Sequence, residues 1–593
     1  MSTRFVSPLA AGLGVVVGLS LAIAACSPAS PAVPAQPASP SLAPGDPLQP
    51  ASPTVAGGGP VQVAPLDGTV YYVRTDGGDP DQCTGLVDAP YPGTGAAQPC
   101  AWDHLFRALP PGGEPRLAGG ETLLIGPGSY RMGFGAPGSE NCEQAGSFDC
   151  IMPPIPSGPD ATHPTRILGA GWDGACAQPP ELWGSGRPWF LLNLTDTSNV
   201  DIGCFEVTDH SDCVEAHSGG LACQRDNPPY GDWASAGLQA EDSSNVHLWD
   251  LNIHGLASTG IHAGRLKDWT LDNVRLAGNG LAGWDGDLWD DLGDSNSGTM
   301  TFRHWTVEWN GCGETYPGGQ PTGCWAQEAG GYGDGMGTGQ TGADWIIEDS
   351  SFLHNTSDGL DLLYHDLGGR IVLSRVRAEG NAGNQVKVTG ATEITNAVVV
   401  GNCAFFEGQP FTHLVDQCRA NGNAVALFFT GGEQIALTNV SVYGQGDGLL
   451  MGGVREGSKC TGDEQLVVRN SVFLGDTDYF DSTDITFLFY QEDCGGLRMD
   501  SDFNLFQQVK NVECGVAGDY VTSGSQDQCE KVQLTGPLSG MTYGMTLAPE
   551  SPGIDSGDNA SCAPDDILGV PRPVDGNGDG NAVCDRGAYE VQP

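Results

Sequence analysis

The sequence predicts an all-β solenoid, a parallel β-helix, from three observations. Seven short segments of alternating apolar residues end in turns rich in Gly or Asn, for example VHLWDLNIHG from 246, WTLDNVRLAGNG from 269 and WIIEDSSFLHN from 345. Neighbouring copies are close to one coil apart, since 25 residues separate Ile347 from Val372. The same place after four of the segments is occupied by an asparagine: Asn279, Asn310, Asn355 and Asn381. Alternation indicates strands, and a repeat of about 20–30 residues indicates one coil of a parallel β-helix.

Two other all-β folds are disfavoured by this repeat. The blades of a β-propeller recur over about 40–50 residues, and a β-sandwich does not repeat in this way. The four asparagines resemble the asparagine ladder of right-handed parallel β-helices, in which side-chain amides hydrogen-bond between coils at a tight turn. The resemblance implies a right-handed parallel β-helix and a structural role for most of these asparagines. Because coils stack about 4.8 Å apart, residues one period apart are expected to lie almost on top of each other.

The first 25 residues are predicted to be a lipoprotein signal peptide. Arg4 supplies a positive charge, VSPLAAGLGVVVGLSL is apolar, and AIAAC ends the segment with small residues. The string from Ile23 to Cys26 resembles a bacterial lipobox, which implies cleavage before Cys26 and a lipid on its thiol. A simple secretory signal with an incidental cysteine is the alternative. Ser27 follows, and not the Asp that marks inner-membrane retention, so we expect a secreted lipoprotein at the outer membrane or cell surface of a bacterium.

The next segments lead into the solenoid. Residues 26–65 are rich in Pro, Ala and Ser without an apolar period, which predicts an extended tether. The parallel β-helix is expected over residues 66–548. The amphipathic stretch CAWDHLFRALPPGG near its start predicts a short helix that caps the open end of the solenoid. Insertions at 283–298 and 312–337 are expected to protrude on one side, where solenoids build binding surfaces.

The C-terminal residues 549–593 contain SPGIDSGD, GVPRP, DGNGDG and CDRGAYE in this order. They resemble the C-terminal segment of bacterial surface proteins called choice-of-anchor Q proteins, which implies an architecture and no activity. Within DGNGDG, Asp575, Asn577 and Asp579 follow the first half of an EF-hand loop, but Arg586 stands where the bidentate Glu is required. This loop is therefore predicted to be a structural ion site or a bare turn.

The cysteines indicate an oxidising compartment. Without Cys26, 18 of the 19 cysteines remain, an even number. Zinc is disfavoured because no CxxC pair occurs. We expect local disulfides between cysteines that are close in sequence: Cys142 and Cys150, Cys213 and Cys223, Cys312 and Cys324, Cys403 and Cys418, Cys514 and Cys529, Cys562 and Cys584.

The charge balance restricts the partners. The chain has 73 acidic against 25 basic residues and a formal net charge of -48, which argues against binding nucleic acid or an anionic membrane surface. Membrane contact is expected only through the lipid on Cys26, and the chain is expected to be a monomer. Divalent cations are the natural counter-ions, although a saline habitat accounts for the acidity equally well. An anionic substrate would be repelled unless a bound cation bridged it.

One stretch, HNTSDGLDLLYHD at 354–366, combines carboxylates with coil spacing. Asp334 precedes Asp358 by 24 residues, and Lys387 follows Asp361 by 26, so the three carboxylates and the amine are predicted to share one patch. Such an oxygen-rich patch suits Ca²⁺, and a cation there would lower the pKa of Lys387 toward a value useful for a base. The alternative is a purely structural role, in which the aspartates are turn residues and Lys387 forms a salt bridge with Asp361 between coils.

Two strings in this region, SDGLDLLY and GNQVKVTG, resemble the DDGWDLY and GNGFKLGG signature of polysaccharide lyase family nine, calcium-dependent pectate lyases with a right-handed parallel β-helix. The resemblance implies that Lys387 is the Brønsted base of a β-elimination on a polyuronate. It also implies that calcium is bound by Asp334, Asp358 and Asp361. Ser357 stands where that family has its first acidic residue, which removes one charged ligand.

An arginine near the leaving group would assist such a reaction, and the substrate-binding candidates are Arg370, Arg375 and Arg377. The protein is therefore expected to act on extracellular acidic polysaccharide, most simply as a pectate lyase-like enzyme. A hydrolase or epimerase is a near neighbour, but no catalytic carboxylate pair can be isolated among so many acidic residues. The alternative class is a non-catalytic surface adhesin or glycan-binding scaffold with structural calcium.

Three further groups of residues are assigned less specific roles. The acidic insertion (Asp285, Asp287, Asp290, Asp291 and Asp294) is interpreted as a run of solvated charges in preference to a calcium site. The histidines have no metal-ligand spacing. Most of the recurring tryptophans are interpreted as core residues: Trp249, Trp269, Trp284, Trp289, Trp305 and Trp325.

Overall fold

The computed structural model describes residues 66, 68–217, 221–288, 293–325, 333–406, 408–414, 422–445, 448–477, 483–488, 497–536 and 544–593. All of them belong to one compact unit, Ala51–Pro593. The predicted signal peptide, the predicted lipidation site Cys26 and the predicted tether at 26–65 lie outside the described residues. Within the described ranges, no helix has the length and apolar character needed to cross a membrane.

The chain is built almost entirely of short strands. The first eighteen are β1 (Val70–Gly78), β2 (Thr122–Ile125), β3 (Ser129–Gly133), β4 (Thr165–Gly169), β5 (Glu181–Ser185), β6 (Phe190–Asn193), β7 (Ser198–Asp209), β8 (Ala236–Glu241), β9 (Ser244–His254), β10 (Thr259–Gly264), β11 (Lys267–Ala277), β12 (Ala282–Gly286), β13 (Ser297–Arg303), β14 (Thr306–Glu308), β15 (Gly313–Thr315), β16 (Gln320–Thr322), β17 (Cys324–Trp325) and β18 (Met336–Thr338).

The remaining strands are β19 (Asp344–Glu348), β20 (Ser351–Leu353), β21 (Leu360–Leu362), β22 (Ile371–Ser374), β23 (Arg377–Glu379), β24 (Val386–Thr389), β25 (Thr392–Thr395), β26 (Val398–Val400), β27 (Thr412–Leu414), β28 (Asn423–Phe429), β29 (Gln434–Thr438), β30 (Ser441–Tyr443), β31 (Gly448–Val454), β32 (Gln465–Arg469), β33 (Val472–Leu474), β34 (Ile485–Leu488), β35 (Met499–Asp502), β36 (Leu505–Gln507) and β37 (Val521–Ser523). The helices in the described ranges are 3₁₀ turns at Leu105–Arg107, Gln144–Asp149 and Cys403–Phe406.

The strands form three ladders of parallel pairs. A 23-stranded sheet contains the first ladder, which ends in β32, β35 and β37, and the second, which ends in β30, β33 and β36. The long strands β7, β9 and β11 join these two ladders. The third ladder is a ten-stranded sheet that runs from β6 through β18, β21 and β24 to β34. From β19 to β34 the chain visits the three ladders in turn, apart from β27, which pairs with β17 in a separate two-stranded sheet. This order confirms the predicted parallel β-helix.

The coil from β13 to β19 has 45 residues because it carries an insertion, whereas in the coil from β19 to β22 the register agrees with the predicted spacing to within one residue. Ile347 lies beside Leu373 and not beside Val372, so this coil has 26 residues where the apolar pattern suggested 25. Inward-facing side chains therefore stack in columns, such as the one formed by Leu248, Leu271, Phe302, Ile347 and Leu373. All five are fully buried. Burial of apolar area, at about 25 cal/mol per Å², is the main stabilising contribution in such a core.

The tryptophan interpretation is largely confirmed. Trp249, Trp269, Trp284 and Trp305 are buried, and Trp284 packs edge-to-face against both Trp269 and Trp305 at ring-centroid distances of 6.0 and 6.2 Å. Edge-to-face pairs are a favoured arrangement of aromatic rings. Trp289 lies outside the described residues.

The four ladder asparagines are fully buried and bonded from coil to coil, as predicted. The Nδ2 of Asn279 donates to Oδ1 of Asn310 at 3.0 Å, and Asn310 donates in the same way to Asn355 at 2.9 Å. Asn355 continues the ladder to Asn381 at 2.8 Å, and Asn381 ends it on Oε1 of Gln385 at 2.8 Å. Each side chain also accepts a backbone N–H, so the buried polar atoms at these turns are satisfied.

The predicted capping helix is shorter than expected. Only a 3₁₀ turn forms, at Leu105–Arg107, and the Nδ1 of His104 accepts the N–H of Phe106 at its start. Leu105 and Phe106 are buried in the main core. The Pro110-Pro111 pair that follows cannot continue a helix, and helices of so few residues are marginal in water. The segment therefore contributes apolar side chains and almost no helix.

Local disulfides are confirmed at five of the six predicted pairs: Cys142–Cys150, Cys213–Cys223, Cys312–Cys324, Cys514–Cys529 and Cys562–Cys584. Cys418 of the sixth pair lies outside the described residues. Where both cysteines lie in the described ranges, two further disulfides, Cys83–Cys100 and Cys176–Cys204, join residues 17 and 28 positions apart. Cys176 and Cys204 are separated by about one coil of the solenoid and not by a single loop. Proximity in sequence therefore did not indicate this disulfide.

The C-terminal segment packs along the second ladder. Ile554, Ile567 and Tyr589 form an apolar cluster with side chains of β26, β33 and β36. The DGNGDG loop within the segment is a turn whose carboxylate is already used, because Asp575 accepts the backbone N–H groups of Gly578, Asp579 and Gly580. The loop is therefore a turn, and the structural ion site that was the other interpretation stays a prediction.

Candidate active site

Three neighbouring strands of the third ladder bring the predicted site residues together. Gly337 of β18 lies beside Asp361 of β21, which lies beside Lys387 of β24. The flanking residues Leu360 and Val386 are fully buried. Because successive side chains in a strand point to opposite faces, Asp361 and Lys387 point outward. The predicted stacking of Lys387 on Asp361 is confirmed.

The amine of Lys387 lies between two carboxylates of the preceding coil. Its Nζ is 2.7 Å from Oδ2 of Asp361 and 3.0 Å from Oδ2 of Asp358. The other oxygen of Asp358 accepts the backbone N–H of Asn384 at 2.7 Å and its side-chain Nδ2 at 3.0 Å. Asp358 is fully buried, and only 14 % of the Lys387 side chain is exposed. The pairs are therefore shielded from water and held by charge-assisted hydrogen bonds.

Asp334 lies under Asp358, as the coil spacing predicted. Its Oδ1 accepts the backbone N–H of Asp358 at 2.9 Å. The residues that follow, Gly335 and Gly359, allow close contact between the coils, because a Cβ on Gly335 would lie 2.5 Å from the carbonyl oxygen of Gly359. The two Asp-Gly pairs therefore place a carboxylate beside each close backbone contact.

The carboxylates that surround Lys387 determine the direction in which its pKa shifts in the structure described. Burial lowers the pKa of the Lys387 amine, but the charges of Asp358 and Asp361 outweigh it, and the pKa lies above its ordinary value. The expectation of a lowered pKa concerned Lys387 beside a bound cation, and it stays a prediction. Burial raises the pKa of Asp361 to about 7, and Lys387 opposes the rise. Lys387 is accordingly protonated in this arrangement.

The donor set is chemically suited to a hard cation. Carboxylate oxygens are what Ca²⁺ prefers, and the ammonium of Lys387 stands in for a cation between Asp358 and Asp361. In the described part of the chain, no three His, Cys, Asp or Glu side chains are preassembled as a metal site. Ser357 is buried where the resembling family has an acidic residue. The residues that would hold a cation are therefore present, with the lysine bound to two of them.

The three substrate-binding candidates among the arginines lie elsewhere. Arg377 is on β23 of the second ladder, Arg375 lies in the turn between β22 and β23, and Arg370 directly precedes β22 of the first ladder. Arg375 pairs with Asp349 and with Asp565 of the C-terminal segment. The following arginine, Arg377, donates to the Tyr589 hydroxyl of the same segment at 2.6 Å. The structure does not bring these three arginines to Lys387, which is on the third ladder.

The acidic insertion partly extends the candidate site. Asp285 of β12 lies beside Gly337, in the same outward column as Asp361 and Lys387. Burial raises the pKa of Asp285, against the smaller lowering effect of His262. The space next to Gly339 is lined by the carboxylates of Asp287 and Asp294. Two members of the predicted charge run, Asp290 and Asp291, lie outside the described residues.

Sequence reasoning missed two side chains at this site. Asn384 binds Asp358, and a signal was available because it is part of the GNQVKVTG string and lies 26 residues after Asp358. The other is Arg455, whose Nε binds Asp366 at 2.9 Å across 89 residues. No spacing rule based on a single coil would have found it.

Comparisons with known proteins give relatives by fold. No protein-family model and no curated protein sequence matches the chain. Solved structures do. A pectate lyase, Pel9A, is 14 % identical with a TM-score of 0.40, over 88 % of this chain and 96 % of its own. An alginate lyase from Paenibacillus sp. str. FPU-7 is 13 % identical with a TM-score of 0.27, over 58 % of this chain and 91 % of its own.

A surface adhesin is similar to a comparable degree. The adhesin PfbA of Streptococcus pneumoniae is 10 % identical with a TM-score of 0.30, over 64 % of this chain and 89 % of its own. At these values the similarity concerns the architecture alone. The residues of the candidate site are therefore assigned from their geometry.

Proposed function

We propose that the protein acts on extracellular acidic polysaccharide and cleaves a polyuronate by calcium-dependent β-elimination. The observation that carries the proposal is the position of Lys387, an amine on the outer face of the third ladder within 3.0 Å of carboxylates of Asp358 and Asp361. An amine beside clustered carboxylates is the combination that a proton abstraction next to a uronate requires. No nucleophile is needed for this reaction.

The carboxylates of Asp334, Asp358 and Asp361 would hold the calcium ion. When bound, calcium would supply the positive charge that the ammonium of Lys387 now supplies, and it would neutralise the uronate carboxylate and so acidify C5–H. Asn384 keeps Asp358 in place by donating two hydrogen bonds to its other oxygen.

The chemical step uses Lys387 in its neutral form. Its Nζ takes the proton from C5, and the electron pair of the C5–H bond forms the C4–C5 double bond. The C4–O bond then breaks, and its electron pair leaves with the oxygen of the departing sugar, which takes a proton from water. Glycosidic cleavage thus gives an unsaturated uronide.

The test is to incubate the protein with polygalacturonate and other polyuronates, with calcium or with a chelator, and to follow the ultraviolet absorbance of unsaturated uronides. We expect a calcium-dependent signal that Lys387→Ala abolishes. Lys267→Ala, which removes an exposed lysine at the start of β11, is the matched control and should retain activity. A signal that survives Lys387→Ala, or no signal on any polyuronate, would refute the lyase.

A second candidate function is non-catalytic binding of an acidic glycan. The observation that favours it is the double pairing of Lys387, because the two carboxylates raise the pKa of the amine and so oppose its use as a base. In that case the same incubation gives binding of the polyuronate without an unsaturated product, with calcium or without it.

We also propose that the protein is a lipoprotein of the bacterial cell surface. The lipobox-like string before Cys26 supports this, as do the local disulfides, which suit an oxidising compartment. Labelling cells with a radioactive fatty acid should mark the protein and fail to mark the Cys26→Ser variant. Label on the Cys26→Ser variant would contradict the proposal.

A further inference from the structure

An exposed aromatic ring and an arginine lie together at the edge of the candidate site. Tyr364 is 42 % exposed, which is unusual for a large hydrophobic side chain among the described residues. The guanidinium of Arg455 lies over its ring, 4.4 Å from the ring centroid. The Nε of Arg455 donates to Oδ2 of Asp366 at 2.9 Å. The arginine is therefore fixed by a carboxylate on one edge and by the ring below it.

This cluster is attached to the strand that carries Lys387. Thr389, two residues after Lys387 in β24, donates its hydroxyl to the carbonyl oxygen of Leu363 at 2.6 Å. The Nδ1 of His365 contacts the carbonyl oxygen of Thr389 at 3.1 Å. Leu363 and His365 flank Tyr364, so the turn is bonded to the strand of Lys387 on both sides of the aromatic ring.

The guanidinium retains an edge for a ligand. Within the described residues, the side-chain hydrogen bond of Arg455 uses Nε alone, and neither Nη1 nor Nη2 donates to the protein. Two parallel N–H groups of an arginine match the two oxygens of a carboxylate. The apolar surface of Tyr364 offers a platform for a sugar ring. Together they present the two groups that an acidic sugar unit needs.

We propose that Arg455 and Tyr364 form a subsite for a uronate unit next to the one at Lys387, with Arg455 binding its carboxylate and Tyr364 its ring. This inference rests on the proposed action on polyuronates. It also answers how so acidic a protein holds an anionic polymer, because Arg455 supplies a fixed cation beside the carboxylate cluster. Asp366 is a positioning residue, since it orients the guanidinium and does not face the sugar.

The test measures binding without turnover. In a Lys387→Ala background, galacturonate oligomers and their methyl esters are titrated by calorimetry with calcium present. Arg455→Ala should weaken binding of the acidic oligomer about tenfold or more, as expected for loss of a charged hydrogen bond, and should leave the ester unchanged. Tyr364→Ala should weaken both. Arg469→Ala is the control for net charge and should bind like the parent. It removes an arginine of β32 that pairs with Asp500 of β35.

Folding is checked for each variant by its thermal unfolding. If Arg455→Ala does not fold, Arg455→Lys keeps the charge without the paired donors and should weaken binding of the acidic oligomer alone. Binding by Arg455→Ala equal to the parent, or no binding of any acidic oligomer by the parent, overturns the subsite. Arg455-dependent binding without lyase product refutes the lyase and leaves the subsite standing. Lyase activity whose KM does not change on replacement of Arg455 supports the lyase and refutes the subsite.

Discussion

At the scale of single residues, Lys387 is the side chain on which most of the candidate site depends. Asp358 and Asp361 are buried beside it, and their charges have little water to stabilise them. The lysine therefore neutralises the aspartates in the structure described, in addition to any role in chemistry. A loss of activity on replacement of Lys387 has to be separated from a loss of stability.

Replacement of Lys387 by Ala should lower the free energy of unfolding by about 3–5 kcal/mol, because it leaves buried carboxylates without their partner. Urea denaturation at neutral pH measures the change. Adding Asp358→Asn to Lys387→Ala should restore part of the loss, since one of the two orphaned charges is then removed. Lys267→Ala should be almost neutral, and an equal effect of the two lysine variants would contradict the buried pairing.

A buried histidine connects an insertion to the body of the solenoid. His254 contacts Oε1 of Glu314 at 2.8 Å through Nδ1 and Oε1 of Glu206 at 3.1 Å through Nε2. Glu314 belongs to the β15–β16 hairpin. Burial lowers the pKa of His254, but the two carboxylates outweigh it and raise the pKa to about 9, against the smaller effect of Arg275.

The stability of the protein should therefore depend on this histidine at alkaline pH. The unfolded pKa is about 6.5, so the contribution of charged His254 is fully present below pH 6.5 and is lost as the pH rises through about 9. The pKa difference corresponds to about 3 kcal/mol at most. Chemical denaturation of the wild type and of His254→Gln between pH 6 and pH 9.5 measures it. The variant should lose less stability over this range, and parallel pH profiles would exclude the assignment.

At the scale of elements, the third ladder depends on a column of glycines. A Cβ on Gly283 would lie 2.5 Å from the carbonyl oxygen of Gly335, and a Cβ on Gly335 would lie 2.5 Å from that of Gly359 and 2.7 Å from Nδ2 of Asn355. These distances are shorter than van der Waals contact. The glycine column thus allows the asparagine ladder and the site strands to pack together.

Gly335→Ala should destabilise the protein by several kcal/mol, because backbone must move to admit the methyl group. The same movement would displace Asp334 and weaken any calcium response. Gly146→Ala is the control, since the nearest atom to its Cβ would be 4.0 Å away. Thermal unfolding of both variants gives the comparison. A Gly335→Ala protein as stable as the control would show that the coils separate easily.

The sequence predicted the first two ladders better than the third. Strands such as β19 and β22 have clear apolar alternation, and the pattern alone located them. The site strands β18 and β21 have three residues each, too few for a period. They became predictable only through the spacing of Asp334, Asp358, Asp361 and Lys387. Spacing does not show to which ladder an outward-facing residue belongs, so the arginines at 370–377 were assigned to the substrate. Spacing also does not show a contact across three coils, so Arg455 was missed.

At the scale of the whole molecule, the C-terminal segment contributes to the stability of the solenoid. Its residue Arg586 is buried and donates to the carbonyl oxygens of Asn504, Gln526 and Ser556. The segment also satisfies Arg377 through Tyr589. The resemblance that set residues 549–593 apart did not indicate that they cover the second ladder, because the partners come from distant coils.

Removal of residues 549–593 should expose the apolar side chains of Val398, Val472 and Leu505 and leave Arg377 without its hydroxyl partner. We expect a lower thermal unfolding temperature and increased binding of a hydrophobic dye. A truncation that removes only Gln592 and Pro593, both at the surface, should match the full chain. Equal unfolding temperatures for the long and short truncations would mean that the segment packs without stabilising.

The two Asp-Gly pairs of the site have a consequence for the ageing of the protein. Asp-Gly bonds isomerise when the glycine nitrogen attacks the aspartate side chain and closes a succinimide ring. Here the nitrogen of Gly335 donates to the carbonyl oxygen of Asp358 and that of Gly359 to the carbonyl oxygen of Asn384, both at 2.8 Å. Neither nitrogen is available while the coils are stacked. The folded solenoid thus protects its own site from isoaspartate formation, and unfolding would remove that protection from Asp334 and Asp358 together.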